Sequence, residues 1–445
     1  SMSYHVKQRI ILVIALLSYF LTALSNSIVI TGLTKIAADL SMNQITLSWV
    51  QNAYGLAFGS FLLLSGRLSD ALSRRTVLSV ALVIFMVGSF LAGLAPTGTI
   101  MIAARFLQGI GSALLAPTSM ALLVDYFEGP ALVKAIAWYS SISGLGSSVG
   151  LVLGGVLASY WSWRVGFYLN APVCLLMLVL TAKVLPKTAP QSERFDVIGT
   201  ISSVLGCGLL VYSLTGASRV GLTLTIAIMI LAIFLLIEKH RSNAILPLAI
   251  FKNRIRSMAY LNRTILNGTI MGYWFFISEY LQQVYHYSPL VTGFAYLPIS
   301  LTMFLAAVIV PRLITHWHNK WTFLVAGNIV LIGFIWALLI TDQGYWLSVG
   351  IPMLILGCGQ GLALAPNTNM GLANVDETNT GVASGLINTA HQLGGVLGLA
   401  LFVNLSSSLV SSHQMAAEFH VAMIAAVVMA VIVVVLAWFS PNTDH

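Results

Sequence analysis

Apolar residues in this chain come in long unbroken runs, without the strict alternation of a half-buried strand. The runs fall at roughly 10–33, 46–66, 77–95, 99–124, 136–159, 164–186, 197–216, 220–238, 258–284, 291–315, 321–341, 346–367, 379–404 and 418–440, fourteen in all. A helix that crosses the hydrocarbon core of a bilayer needs about 20 mostly apolar residues. Lipid offers the backbone no hydrogen-bond partners, so each run is expected to satisfy its own N–H and C=O groups as a helix. The connections between runs are short. The seventh and eighth runs are separated only by Thr215-Gly216-Ala217-Ser218-Arg219.

Composition narrows the class. Of 445 residues, 58% are hydrophobic and only 8% charged, and the mean hydropathy is +0.92. Soluble domains carry about 25% charged residues, so an ordinary soluble enzyme is excluded. Ten Trp, 15 Tyr and 20 Phe equally exclude a disordered chain. The net charge of +8 would suggest nucleic acid in a soluble protein. In a membrane protein it reads as topogenic charge, and no nucleic-acid partner is expected. With an even number of spans and the N-terminus inside, sixteen of the 21 Lys and Arg fall on cytoplasmic segments and only Lys35, Arg164 and Arg219 on outer ones. That bias predicts a multi-pass protein of the plasma membrane with both termini cytoplasmic. No cleavable leader is expected, because the first run is long enough to span. Cys174, Cys207 and Cys358 all sit inside apolar stretches and read as packing residues, with neither disulfides nor a metal site expected.

Two pairs of segments recur along the chain. Arg67-Leu68 to Thr76 and Arg312-Leu313 to Trp321 are both short basic connections. Ser143-Gly144-Leu145 with Gly154-Gly155-Val156-Leu157 is echoed by Ser384-Gly385-Leu386 with Gly394-Gly395-Val396-Leu397. A duplicated helical bundle predicts such pairs, a habit of transporters. The seventh and eighth runs have no counterpart. The expected organisation is a six-helix bundle over residues 1–186, two inserted helices with cytoplasmic connectors over 187–256, and a second six-helix bundle over 257–445.

Several motifs resemble a known family. Gly66-Arg67-Leu68-Ser69-Asp70-Ala71-Leu72-Ser73-Arg74-Arg75 resembles the loop motif of the major facilitator superfamily between spans 2 and 3. Arg105 with Gln108-Gly109 and Gly111 is similar to its span 4 motif. Trp163-Arg164, Phe167, Asn170 and Pro172, then Phe195-Asp196 with Gly199, Glu238, Pro247-Leu248, Phe251 and Asn253-Arg254, resemble the fourteen-span drug:proton antiporter branch. So do Tyr280-Leu281-Gln282 and Gln392-Leu393-Gly394-Gly395. The resemblance implies an all-α membrane protein with the major facilitator fold: two six-helix bundles plus two inserted helices. Two positions depart from the family. Leu151 stands where the antiporter motif carries a proline after the middle glycine of Gly146, Gly150 and Gly154. Ser25 stands where span 1 commonly carries an acid.

Candidate residues follow from charge and spacing. Asp70, Arg74 and Asp125, flanked by Gly66 and Arg75, are placed to latch spans 2, 3 and 4 at the cytoplasmic side, or else serve as topogenic charge. Gly146, Gly150 and Gly154 share a helix face that admits a close neighbour. Among the acids only Glu279 lies well within a span, either as an inward, proton-exchanging carboxyl or as a rim carboxylate solvated by outer water or paired for structure. His391 is the other titratable candidate, against a plain packing role. Arg105 cannot release a proton and must bind an anion, tune a carboxyl or tie span 4 to its neighbours. Arg263 lies near the cytoplasmic interface, where a snorkelling side chain is expected. Amides and aromatics mark the candidate cavity: Ser25, Asn26, Gln51, Tyr54, Arg105, Gln108, Asn267, Trp274, Gln360 and Asn388.

The function expected is export of amphiphilic organic compounds by alternating access in exchange for protons, in a bacterial membrane. Small amphiphilic substrates, protons and membrane lipids are the expected partners; the oligomeric state is not legible. A lipid, glycolipid or metabolite exporter is the alternative. A membrane enzyme or a non-transporting receptor is more distant, since there is no nucleophile elbow, carboxylate pair or nucleotide-binding loop. No cofactor is expected.

Overall fold

The computed structural model describes residues 2–187, 195–215, 219–242, 244–375 and 380–442. Among these the chain is helical throughout, with no strand. The helices are α1 (Tyr4–Ser27), α2 (Leu33–Leu40), α3 (Gln44–Ala71), α4 (Arg74–Leu94), α5 (Gly98–Tyr126), α6 (Gly129–Tyr160), α7 (Trp163–Tyr168) and α8 (Asn170–Val184). They continue as α9 (Val197–Leu214), α10 (Val220–His240), α11 (Arg254–Gln283), α12 (Pro289–Ala295), α13 (Leu297–Leu339), α14 (Ile351–Gly371), α15 (Thr380–Leu409) and α16 (Met415–Phe439).

Local chemistry starts these helices. Asn43, Ser73 and Asn253 accept from the backbone N–H three residues on, at 2.9, 3.1 and 3.1 Å, so an orphan donor of each first turn is satisfied. Asp196 does the same for Gly199 N–H at 2.9 Å, which explains the acid–x–x–glycine spacing at the start of α9. The first-turn proline of α6, Pro130, gives up an N–H that would have no intrahelical partner.

Ten helical stretches among the described residues are long and apolar enough to cross a membrane. The apolar runs map onto helices unevenly. The tenth and eleventh merge into the 43-residue α13, broken at His318, where φ is +66°. The ninth run is the 30-residue α11, which buries Arg256, Asn262, Arg263, Asn267, Glu279 and Gln282 and so is too polar to be among the ten. The connection at 216–218, and Arg194 in the connector before α9, lie outside the described residues.

The chain divides into two compact units, residues 1–204 with 288–293 and residues 205–287 with 294–445, so one boundary falls inside α9. In the first unit, α1, α4, α5 and α8 share a core of Ile11, Ile14, Leu78, Leu82, Phe85, Leu115 and Met177. The segment 288–293 belongs to this unit, with Leu290 N–H donating to Ser159 Oγ at 2.9 Å. Trp163 Nε1–H donates to Asp39 at 2.7 Å, and Arg164 donates to the Gly93 and Ala95 carbonyls at 3.0 and 2.8 Å. Arg164 therefore caps carbonyls at the end of α4, while Trp163 ties to Asp39 of α2.

In the second unit, α11 packs on α14, α15 and α16, and α13 packs on α14 and α16. Arg256 donates to the Ile250, Ala373 and Asn374 carbonyls at 3.1, 2.8 and 3.0 Å, and Tyr260 to the Gly371 carbonyl at 2.8 Å. The start of α11 thus ties down the end of α14. Ser213 meets Thr223 at 2.8 Å, joining α9 to α10, while α10 leaves Leu222, Met229, Ile233 and Leu236 exposed. A helix apolar on its open faces has its stable environment in lipid.

Candidate functional site

In the first unit Arg105, Gln108 and Tyr54 form one group, and Gln51, near Tyr54 in sequence on α3, pairs with Asn26 of α1. Arg105 is 0% exposed, and its Nε–H donates to the Val50 carbonyl at 2.9 Å. Its Nη1 donates to Gln108 Oε1 at 3.0 Å, and Gln108 Nε2 donates to Ser89 Oγ at 2.7 Å. The guanidinium lies 4.5 Å from the centre of the Tyr54 ring and 6.0 Å from that of Phe167. The Tyr54 hydroxyl reaches the Thr22 carbonyl at 2.9 Å and Ser112 Oγ at 2.6 Å. Gln51 Nε2 donates to the Asn26 carbonyl and side chain at 2.8 and 3.2 Å. Arg105 therefore ties α5 to α3, and a cation held over aromatic faces contributes about 0.5–2 kcal/mol. Arg105 Nη2, Gln51 Oε1, Asn52 Nδ2 and Ser25 Oγ are buried with no hydrogen-bond partner among the described residues. Asn170, legible only as part of a motif, and Ser89, which no motif marked, meet at 3.2 Å.

The glycine face of α6 meets α1. A methyl on Gly150 would overlap Ser27 Oγ, and one on Gly154 would overlap the Ile28 carbonyl. A methyl on Gly146 would fall 2.9 Å from Ala23 Cβ. Two hydroxyls of this seam cross between helices: Ser27 donates to the Ser147 carbonyl and Thr31 to the Leu151 carbonyl, both at 2.8 Å. At the basic loop Arg74 Nε–H donates to Asp125 at 2.9 Å, with side chains 24% and 39% exposed. Arg75 reaches the Leu185 carbonyl at 3.5 Å. Gly66 and Asp70 fall within α3, but the side chain of Asp70 lies outside the described residues.

In the second unit Glu279 is 1% exposed and accepts from Gln283 Nε2 at 2.5 Å. Of the two readings left open for Glu279, the structure gives the inward, buried side chain and not one bathed in outer water. Asp196, Glu238 and Glu418 are buried as well. Their positions at helix ends had hidden this, because end residues are enclosed only by neighbouring segments. Arg263 also departs from expectation. It does not snorkel: it is 8% exposed and turns inward, its Nε–H donating to His391 Nδ1 at 2.9 Å and its Nη1 reaching Asn367 Oδ1 and Thr368 Oγ1 at 3.3 Å. Polar atoms on α14 and α15 offer the donors better acceptors than a long reach to the interface.

Asn267 Nδ2 donates to the His391 carbonyl at 2.6 Å. Trp274 packs 5.6 Å from the ring of Tyr296, whose hydroxyl donates to the Trp274 carbonyl. Trp274 Nε1, Tyr273 Oη and Gln360 Oε1 are buried without a hydrogen-bond partner among the described residues. Asn388 is exposed. At the connection between α13 and α14, burial pushes the Tyr345 phenol up to about 12, which keeps it a donor to the Ala295 carbonyl at 2.6 Å. Among the described residues no group of His, Cys, Asp and Glu could hold a metal ion.

The buried arginines, the seam glycines and the basic loop can be compared with known proteins. The family model described as Major Facilitator Superfamily matches residues 15–399. The puromycin resistance protein pur8 of Streptomyces alboniger is 33% identical over 420 residues, covering 90% of this chain and 82% of that protein. The cephamycin export protein CmcT of Amycolatopsis lactamdurans is 30% identical over 411 residues, covering 89% and 85%. The multidrug resistance protein Stp of Mycobacterium tuberculosis is 27% identical over 405 residues, covering 89% and 75%. Among solved structures, a bacterial homolog of the human lysosomal transporter Spinster, inward-facing and unoccupied, superposes with a TM-score of 0.73 at 15% identity, covering 99% and 97% of the two chains. A D-xylose–proton symporter superposes at 0.70 with 14% identity, covering 99% of both. A helical chain with ten membrane-spanning lengths of apolar helix among its described residues, matched along nearly all its length by a single family model and by bacterial relatives of similar extent, belongs to the major facilitator superfamily.

Proposed function

We propose that this protein exports amphiphilic organic compounds from a bacterial cell, as a multidrug-type secondary transporter that works by alternating access and proton antiport. The observation that carries the reading is the run of relatives named for antibiotic resistance and export, aligned over about nine-tenths of this chain. The chain is read as having fourteen spans in a six, two, six arrangement over residues 1–186, 187–256 and 257–445, with both termini cytoplasmic in the plasma membrane. It performs transport, with no covalent catalysis.

Glu279 is the leading proton carrier. Its burial in α11 supports this, since a carboxyl away from water is the group a proton can neutralise. The guanidinium of Arg105 cannot release a proton under physiological conditions, so it serves to hold α3 and α5 and to offer Nη2 toward a polar ligand group. With Ser25 where an acid would stand and two arginines inside the spans, a permanent dication would lack a second counter-charge. Neutral, zwitterionic or anionic amphiphiles are therefore preferred.

Reconstitution tests this directly. Proteoliposomes with an imposed pH gradient should accumulate puromycin against its concentration and move protons in the opposite sense. Glu279→Gln keeps the shape, removes the titrating proton and should abolish pH-driven exchange while sparing ligand binding. Undiminished proton-driven transport by Glu279→Gln overturns the assignment of the carrier. Absence of substrate movement by the wild type with any of a panel of amphiphiles overturns export.

A further inference from the structure

The helix pair α11–α15 is held by a contact whose polarity a single proton reverses. Arg263 Nε–H donates to His391 Nδ1 at 2.9 Å. An accepting ring nitrogen must carry a lone pair, so in this arrangement the imidazole is neutral with its hydrogen on Nε2. The same residue is gripped through its backbone, because Asn267 Nδ2 donates to the His391 carbonyl at 2.6 Å. The backbones come close just beyond: a Cβ on Gly394 would overlap Thr264, and one on Gly398 would overlap Gly268.

We propose that Arg263 and His391 form a proton-operated latch between α11 and α15, closed by the neutral imidazole and released when Nδ1 takes up a proton. The proton comes from water and binds the lone pair that accepts from Arg263, and no other bond is made or broken. Both nitrogens are then donors and both groups are cations, so an attraction becomes a repulsion at hydrogen-bond distance. Arg263 acts as a positioning residue that sets when His391 can be protonated. The proposal rests on the reading of this chain as an alternating-access exporter and adds to Glu279 a second proton-responsive point.

Arg263 also reaches Asn367 and Thr368 on α14, and the other titratable side chains of the packed helices lie farther along them. The helices packed on α15 are α11, α14 and α16. On α11, Arg256 and Tyr260 are engaged with the end of α14, and Arg254 reaches the Phe439 carbonyl at 3.5 Å. Tyr273 is about 15 Å and Glu279 and Tyr280 about 24 Å or more beyond Arg263 along the helix axis. The titratable side chain of α14 is Cys358, about 14 Å along that helix from Asn367. On α16, Glu418 and His420 lie near its start, which follows the far end of α15, about 27 Å along from His391. Among the described residues, Arg263 is the charged group that faces His391.

Hydrogen–deuterium exchange of the full chain in lipid nanodiscs between pH 8 and pH 5, corrected for intrinsic exchange, reads the latch without relying on transport. Backbone protection of the segments around Thr264–Gly268 and His391–Gly398 should fall as pH falls, by roughly tenfold per pH unit through the transition, the limit for one linked proton. The α1–α6 seam around Ser147–Gly154 should not change. His391→Gln offers Oε1 as an acceptor and cannot titrate, so its protection should be high and independent of pH. Arg263→Gln should be loosened at every pH. Flat protection in the wild type overturns the latch, as does a His391→Gln profile that follows the wild type. Transport by proteoliposomes is scored separately: transport with a flat seam rejects the latch alone, and a pH-sensitive seam without transport of any amphiphile rejects the export reading alone.

Discussion

The α1–α6 seam of the first unit and the α11–α15 seam of the second are built by the same device at different levels. Each brings a glycine face against a neighbouring helix of its unit: Gly146, Gly150 and Gly154 against the end of α1, and Gly394 and Gly398 against Thr264 and Gly268 in the first half of α11. Each is crossed by polar bonds. In the first these are two hydroxyls on backbone carbonyls, Ser27 to Ser147 and Thr31 to Leu151. In the second an amide reaches the His391 carbonyl and a guanidinium reaches its ring. Small residues permit a close approach in both, and the side chains that enter the gap decide what the seam can sense. A hydroxyl–carbonyl bond contains no group that titrates near neutral pH. An arginine–imidazole bond contains one, the imidazole.

The largest effect expected is from filling either seam. Gly154→Val and Gly398→Val should each cost about 1–3 kcal/mol or fail to pack, because the added carbons meet backbone that cannot rotate away. Thermal unfolding in detergent should show both destabilised at all pH values; one tolerated without loss breaks the equivalence of the seams. Arg263→Ala comes next. It leaves Asn367, Thr368 and His391 short of a donor in a buried place, at a cost of about 1–3 kcal/mol. Transport and melting should both fall, and Arg263→Lys should not restore them, since an ammonium lacks the planar fork that meets two helices at once.

Ser27→Ala and Thr31→Val should be milder, about 1 kcal/mol each, because the carbonyls they serve are already within a helix. Their melting points should shift by the same amount at pH 5 and pH 8. A pH-dependent loss would place a titrating group at the first seam and erase the contrast. The smallest effect on stability is expected at the basic loop. Arg74→Glu breaks an exposed pair with Asp125 that contributes about 0.2–1 kcal/mol. The fold should persist while the rate of substrate efflux drops, and an unchanged rate would remove any gating role from this pair.

The seams also show why the sequence was read well in some places and poorly in others. The glycines at 146, 150 and 154 were legible because a spacing of four places them on one face whatever the partner is. Gly154-Gly155 and Gly394-Gly395 were read as a repeat; Gly154 packs on the end of α1 and Gly394 on α11. The level of each contact along its helix pair was not, since it depends on how one helix slides against another. Arg263 was assigned to the interface by its distance from a span end. Its partners lie more than 100 residues away, on α14 and α15.

Composition and the length of the apolar runs determined by themselves that this is a polytopic helical membrane protein, because a backbone in lipid must form its own hydrogen bonds and about 20 residues span the bilayer. Motif spacing pointed to the superfamily. Tertiary structure alone decided which charges are buried and what they hold. It turned Glu279 and Arg263 inward, laid Arg105 across Tyr54, and set the imidazole of His391 as an acceptor. The physical reason is the same in each case. A buried ionisable group is defined by the donors, acceptors and aromatic faces around it, and those come from helices far apart in the chain and meet only when the helices pack.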